Sequence, residues 1–193
     1  MSFTFTPENQ KKADAYIKRY PKGRQTSAVL PLLDLAQRQS GGWLPQNALE
    51  GIGNMLEMPF IKVLEVASFY TMFNLKPVGT YHLQVCGTTP CWLKGAEDLK
   101  KACEHHLKIK TGETTKDQKF TLREVECLGA CINAPVVQIN DDYYENLSPE
   151  SIVKLLKNLP DQATSSSERE LWIRNHSSIP FISCLKVGFT GLS

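Results

Sequence analysis

Four of the six cysteines stand in two close pairs, Cys86-Gly-Thr-Thr-Pro-Cys91 and Cys127-Leu-Gly-Ala-Cys131, with four and three residues between their members. Six cysteines in 193 residues are too sparse and too clustered for a secreted disulfide scaffold, and read as metal ligands plus ordinary thiols. Each pair follows a stretch of strand-like sequence, so each is expected where a strand gives way to a loop. If the two strands are neighbours in one sheet, both loops emerge at the same edge and four sulfurs can converge. Four thiolates are the usual ligand set of a [2Fe–2S] cluster.

The loops suit such a group. A cluster with bridging sulfides and four thiolates is negatively charged, more so when reduced, and asks for N–H donors and shelter from bulk water. Gly87 and Gly129 let the backbone turn close to sulfur, and Thr88, Thr89 and Ala130 are small enough not to block it. Trp92, Leu128 and Ile132 are expected to supply apolar cover. Lys94 and Glu126 are the nearest charges, which leaves tuning mainly to N–H dipoles and burial.

Rival readings are weaker. Structural zinc sites usually show a two-residue knuckle, and neither pair has one. Two disulfides do not suit a reducing context, and the C-x-x-C of thioredoxin-type redox sites is missing. Plant-type ferredoxin spacing is missing too, and a Rieske site would need two histidines beside the cysteines. His82, His105, His106 and His176 have no ligand spacing with one another or with a carboxylate. Cys103 falls on the apolar face of a helix and reads as a small buried hydrophobe, and Cys184 as an incidental thiol.

Around this centre the chain reads as two kinds of structure. The first 78 residues form a small helical domain. Thr6 caps a helix that Pro21 stops, a second runs from Thr26 to Arg38 with Pro31 near its start, Pro45 opens a third through Leu56, and Pro59 a fourth. The fourth is expected to end in the run Phe69-Tyr70-Thr71-Met72-Phe73, and the Met and aromatic residues of this leader are read as core. Residues 79–160 are α/β. Tyr81, Leu83 and Val85 alternate into Cys86, a helix runs from Gly95 to about Lys110, and Phe120, Leu122 and Val125 lead towards Cys127. Val136 to Ile139 and Tyr143-Tyr144 make a hairpin through Asn140-Asp141-Asp142, and Ser148-Pro149 opens a last helix. Strand, helix, strand, strand, strand, helix is the order of thioredoxin-like folds. Residues 161–193 form an atypical polar tail.

Composition bounds the function. A hydrophobic fraction of 41% supports a core, and a net charge of +2 gives no field that would attract nucleic acid or a membrane surface. The opening MSFTFTPENQKK has neither signal-peptide nor transit-peptide character, so a cytoplasmic protein is expected. The longest uncharged run, Cys127 to Asn140, is short of the roughly 20 apolar residues of a spanning helix, so membrane association is expected only through partners. Gly51-Ile52-Gly53 lacks a third glycine and a preceding strand, and no Walker loop or nucleophile elbow is present. The chain can store and pass an electron, with no visible means of binding NADH or flavin.

The segments VCGTTPC and ECLGACINAPVVQIND, with the leader segment VASFYTMFNLKPVG, resemble the 24 kDa (E) subunit family of NADH-quinone oxidoreductase, respiratory complex I. The resemblance covers about residues 5 to 159 and stops short of the tail. It implies a thioredoxin-like [2Fe–2S] domain behind a small all-helical domain, with Cys86, Cys91, Cys127 and Cys131 as ligands. It also implies docking on the flavin-bearing subunit, where FMN and NADH reside, and a cluster close to that flavin as a side branch of the main electron chain. The place implied is the cytoplasmic side of the inner membrane in a bacterium, or the matrix side in an organelle. The same module in an NAD-linked hydrogenase or formate dehydrogenase is the near alternative, and a zinc- or disulfide-stabilised interaction module the distant one. Pro135 stands where thioredoxin-like folds often keep a cis-proline, a point the residues alone leave open.

Overall fold

The structure, a computed structural model, describes residues 3–160. The tail at 161–193, with His176 and Cys184, lies outside the described residues. The chain divides into two compact units between Val78 and Gly79, each with its own apolar core.

Proline and cap residues set the helices of the first unit. In α1 (Pro7–Lys18), Thr6 accepts the Asn9 N–H at 3.3 Å and Pro7 takes the first position. A 3-10 turn, Gln25–Ala28, feeds α2 (Val29–Gln39), whose Val29, Leu32, Leu33 and Ala36 are buried. Pro45 and Pro59 are the N-caps of α3 (Gln46–Leu56) and α4 (Phe60–Phe69). The pair Gly51 and Gly53 lies inside α3, where Gly53 packs under the Met58 carbonyl and a Cβ would meet that oxygen at 2.9 Å.

The end of α4 departs from expectation. The helix stops at Phe69 because Tyr70 is extended (φ −83°, ψ 110°), and this breaks the spacing that would put Phe69 and Phe73 on one face. Phe73 returns to the core, while Phe69 is 75% and Met72 55% exposed. The reading of the leader's Met and aromatic residues as core therefore fails for these two, and for Phe60 and Tyr70, which are exposed as well.

The second unit is a four-stranded mixed sheet in the order β2-β1-β3-β4. Strand β1 (Tyr81–Cys86) runs parallel to β2 (Phe120–Val125) and antiparallel to β3 (Val137–Ile139), which pairs antiparallel with β4 (Asp142–Tyr144). Alternation puts Tyr81, Leu83, Val85, Phe120, Leu122, Val137 and Ile139 on one face. There they pack with Leu99 and Cys103 of α6 (Ala96–Leu107) and with Ile152, Leu155 and Leu156 of α7 (Pro149–Asn158). Ser148 caps α7 in a reciprocal box with Ser151. Asn140, at φ +55°, turns the hairpin, and its side-chain oxygen accepts the His82 N–H at 2.9 Å. The bond before Pro135 is cis. Among the described residues no helix is long and apolar enough to cross a membrane.

Two predictions arise from this core. Cys103 is fully buried on α6, and burial pushes its thiol up to about 12. Cys103→Ala leaves a small cavity and should cost up to ~1 kcal/mol in chemical denaturation, with no change in the visible spectrum of the protein.

His82 is 9% exposed and its Nε2 has no hydrogen-bond partner. Burial, and then the Arg123 charge, lower its pKa from 6.5 to about 4. The unfolded chain therefore binds the proton more tightly than the folded one. His82 contributes its full stability above pH 6.5 and loses it as the pH falls towards 4, a drop of about 3 kcal/mol at most. Urea midpoints between pH 7 and 4 should fall more steeply for the wild type than for His82→Gln. Equal slopes would contradict this account.

Candidate metal centre

The parallel register of β1 and β2, Cys86 opposite Val125, brings both strands to the same edge of the sheet. The two cysteine loops leave from that edge side by side. Cys86 is the last residue of β1, 1% exposed, with its N–H on the Val136 carbonyl at 3.1 Å. The ladder runs one residue further, because the Gly87 N–H bonds the Val125 carbonyl at 3.0 Å. Gly87 thus spends its N–H on the strand ladder. A Cβ there would meet the Glu124 carboxylate, which Lys100 holds at 2.8 Å, so a larger residue would displace that side chain.

Beyond Thr88 the chain forms α5 (Thr89–Leu93), and Cys91 is buried on this short helix. From its residues alone this segment reads as loop. Five residues opened by Thr-Pro are too short to reveal a helical period.

The second loop is built differently. Gly129, at φ +82°, turns the chain so that its N–H points back at Cys127 Sγ, 3.4 Å away. Cys131 begins a 3-10 turn, Cys131–Asn133, and its Sγ is 3.4 Å from that of Cys127. Both sulfurs of this pair are exposed. Three contacts pin the loop to β4 and the residues after it. The Tyr143 hydroxyl donates to the Leu128 carbonyl at 2.9 Å, the Asn133 side-chain amide donates to the buried Glu145 carboxylate at 2.8 Å, and the Asn146 N–H donates to the Asn133 carbonyl at 2.8 Å. Sequence gives no sign of these positioning residues, since contacts across 12 to 15 residues leave no spacing signal.

Apolar cover comes from a small cluster of Ala96, Ala134 and Val136, with Leu128, Ala130 and Tyr143 against it. Trp92 and Ile132, expected as cover, are instead 61% and 94% exposed. Each follows a cysteine directly: Trp92 sits on α5 beside the buried Cys91, and Ile132 in the 3-10 turn beside the exposed Cys131.

The four thiols act on one another. Burial works to raise Cys86, but hydrogen bonds from the Thr88 hydroxyl, from the Thr88 and Leu128 backbone and from Cys91 outweigh it, and its pKa is lowered. Its partner Cys91 is pushed up to about 11 by burial and by the bond to Cys86. Cys127 is lowered, first by the Gly129 N–H and then by Cys131, and Cys131 is raised chiefly by its bond to Cys127. In each pair one thiol is shifted down and the other up. Charge on Cys86 also acts on Cys91, Cys127 and Cys131, in keeping with two pairs that lie near one another.

Among the described residues no three His, Cys, Asp or Glu side chains gather closely enough for a single metal ion. Two thiol pairs side by side fit a two-iron cluster, in which each iron takes two sulfurs. The polar backbone at Gly129, Thr88 and Leu128 fits the negative charge of that group.

The family model for thioredoxin-like [2Fe–2S] ferredoxins matches residues 13–160. The E subunit of the NADH-quinone oxidoreductase of Rickettsia felis is 63% identical over 155 residues, covering 80% of this chain and 93% of that protein. The chain belongs to the E-subunit family of thioredoxin-like [2Fe–2S] ferredoxins.

The E subunit of Rickettsia conorii is 61% identical over 158 residues, 82% of this chain and 95% of that protein. The mitochondrial NADH dehydrogenase [ubiquinone] flavoprotein 2 of Dictyostelium discoideum is 50% identical over 174 residues, 90% of this chain and 69% of that protein. Among solved structures, air-oxidised NAD+-reducing [NiFe]-hydrogenase is similar with a TM-score of 0.60 at 20% identity, over 77% of this chain. The chain spans only 25% of that hydrogenase chain, and the likeness is one of fold. The thioredoxin-like assignment follows from the family match, and the mixed four-stranded sheet with its helices in the second unit is consistent with it. The cofactor of this ferredoxin family is a [2Fe–2S] cluster, and the four thiols fit it.

Proposed function

We propose that the chain is the one-electron carrier of an NADH-quinone oxidoreductase, with one [2Fe–2S] cluster held by Cys86, Cys91, Cys127 and Cys131. The observation that carries this reading is the meeting of two thiol pairs at one sheet edge, in a chain 63% identical to the E subunit of such a complex. When bound, the cluster takes up and gives back one electron at a time.

The chain's own residues do the rest. Gly129 directs its N–H at Cys127, and Thr88 and Leu128 support Cys86, so that added negative charge meets oriented dipoles. Ala96, Ala134, Val136 and Leu128 keep water from the buried pair. Tyr143, through the Leu128 carbonyl, and Glu145, through Asn133, hold the exposed loop in place. Trp92 and Leu93 on α5 and Ile132 after Cys131 leave bare apolar surface next to the cysteines in sequence, the kind of surface a partner covers. The partner is the flavin-bearing, NADH-binding subunit, with FMN and NADH on its side. The complex places this chain at the cytoplasmic face of a bacterial inner membrane, or the matrix face in an organelle. The near alternative, the same module in an NAD-linked hydrogenase, draws on likeness of fold at 20% identity, and the E-subunit relatives at 61 to 63% outweigh it.

This reading gives the chain no complete active site. Hydride transfer from NADH needs flavin or a comparable two-electron acceptor, and the one Gly-x-Gly of the chain is packed inside α3. The test is NADH oxidation with ferricyanide as acceptor, first with the purified chain and then with the flavoprotein added. The expected result is no turnover by the chain alone and turnover in the mixture, with visible bleaching of the chain's cluster by NADH only when the flavoprotein is present. Turnover by flavin-free chain would end the carrier reading.

A further inference from the structure

The Thr88 side chain is diverted from the role its position gives it. Thr88 is the N-cap of α5, with extended backbone (φ −76°, ψ 165°). A threonine there ordinarily accepts a hydrogen bond from an N–H in the first turn. Thr6 and Ser148, the N-caps of α1 and α7, do so. Thr88 makes no such bond. Its Oγ1 lies 3.3 Å from Cys86 Sγ, and the same hydroxyl acts on Cys127, a residue of the other pair. It therefore stands between the two halves of the site.

While Cys86 is a thiol, either atom of the Thr88–Cys86 contact can donate. Once the sulfurs are thiolate ligands they carry no proton, and the hydroxyl becomes the donor. On the reading that the four cysteines are the ligands, we propose that the Thr88 hydroxyl donates a hydrogen bond to a ligand sulfur and thereby sets the cluster's reduction potential, holding it more positive. With the cluster bound, the step concerned would be the transfer of one electron, from reduced flavin of the partner or from dithionite in a titration, taking two ferric irons to one ferric and one ferrous with no bond broken and no proton moved. Reduction increases negative charge on the sulfurs, so an O–H···S bond strengthens in the reduced state and favours it. Backbone donors at Gly129 and Leu128 remain whatever stands at position 88, which makes the hydroxyl separable from them.

The experiment is an EPR-monitored redox titration of the full chain as wild type, Thr88→Val and Thr88→Ser, each first assayed for iron and acid-labile sulfide. Thr88→Val keeps the shape of threonine and lacks the donor. It should hold its cluster and titrate at lower potential, with the reduced-to-oxidised ratio at the wild-type midpoint falling about tenfold, or ~59 mV for one electron. Thr88→Ser should titrate close to the wild type. A fully loaded Thr88→Val with the wild-type midpoint overturns the proposal. If Thr88→Val takes up no iron, Thr88→Ala carries the same comparison. Should neither load while Thr88→Ser does, the hydroxyl serves to form the site instead of tuning it, and the proposal falls. Wild-type protein without iron and sulfide would be a different failure, that of the ligand reading, and is seen before any variant is titrated.

Discussion

Alanine at any one of Cys86, Cys91, Cys127 or Cys131 should abolish or destabilise the cluster, whereas Cys103→Ala and Cys184→Ala keep it. The first four are the thiols that meet at the β1–β2 edge and act on one another. Cys103 is enclosed between α6 and the sheet, on the far side of β1 from Cys86 by strand alternation. Losing one thiolate leaves an iron without its fourth ligand, and neither loop has a His, Asp or Glu within it to replace the sulfur. The buried pair should be the less forgiving, because water reaches an exposed position such as 127 or 131 more readily than 86 or 91 and can occupy a vacant iron site there. Iron content and the EPR signal after dithionite divide the six variants. Iron lost from Cys103→Ala but kept by Cys91→Ala would show the ligand assignment to be wrong.

The second large effect concerns docking. Trp92, Leu93 and Ile132 are 61%, 71% and 94% exposed beside the thiol pairs, and electron transfer needs a short path between the cluster and the partner's flavin. Buried aromatic anchors dominate interface energies, each worth about 2 kcal/mol or more on truncation. The double substitution Trp92→Ser with Ile132→Ser should therefore weaken binding to the flavoprotein by roughly 30-fold or more, and slow NADH-driven bleaching at limiting concentration by a similar factor. Iron content and the dithionite-reduced EPR spectrum should stay unchanged, which separates docking from cluster loss. Unaltered affinity with both side chains removed would place the docking face elsewhere on the molecule.

What the residues disclose in advance follows from the range of the interaction concerned. The alternation Tyr81-Leu83-Val85, the Ser148-Pro149 start and the Asn140-Asp141 turn are local, and each is found where its pattern places it. The strand order that joins the two loops depends on long-range pairing, but it can be posed as a condition, and the parallel β1–β2 register meets it. Short or terminal events are illegible. Helix α5 has too few residues for a period, and α4 stops at Phe69 within an aromatic run that continues its pattern. The contacts that hold the exposed loop, Tyr143 to Leu128 and Asn133 to Glu145, join residues that local patterns do not connect. Trp92 and Ile132 face outward against expectation because apolar character alone does not say which side of a turn a residue takes.

Iron and acid-labile sulfide analysis of the full chain, purified without oxygen, tests the central claim most directly. The account predicts a red-brown protein with about two irons and two sulfides per chain, and a one-electron EPR signal on dithionite reduction. A colourless chain carrying zinc, or four cysteines recovered as disulfides after anaerobic purification, would contradict it.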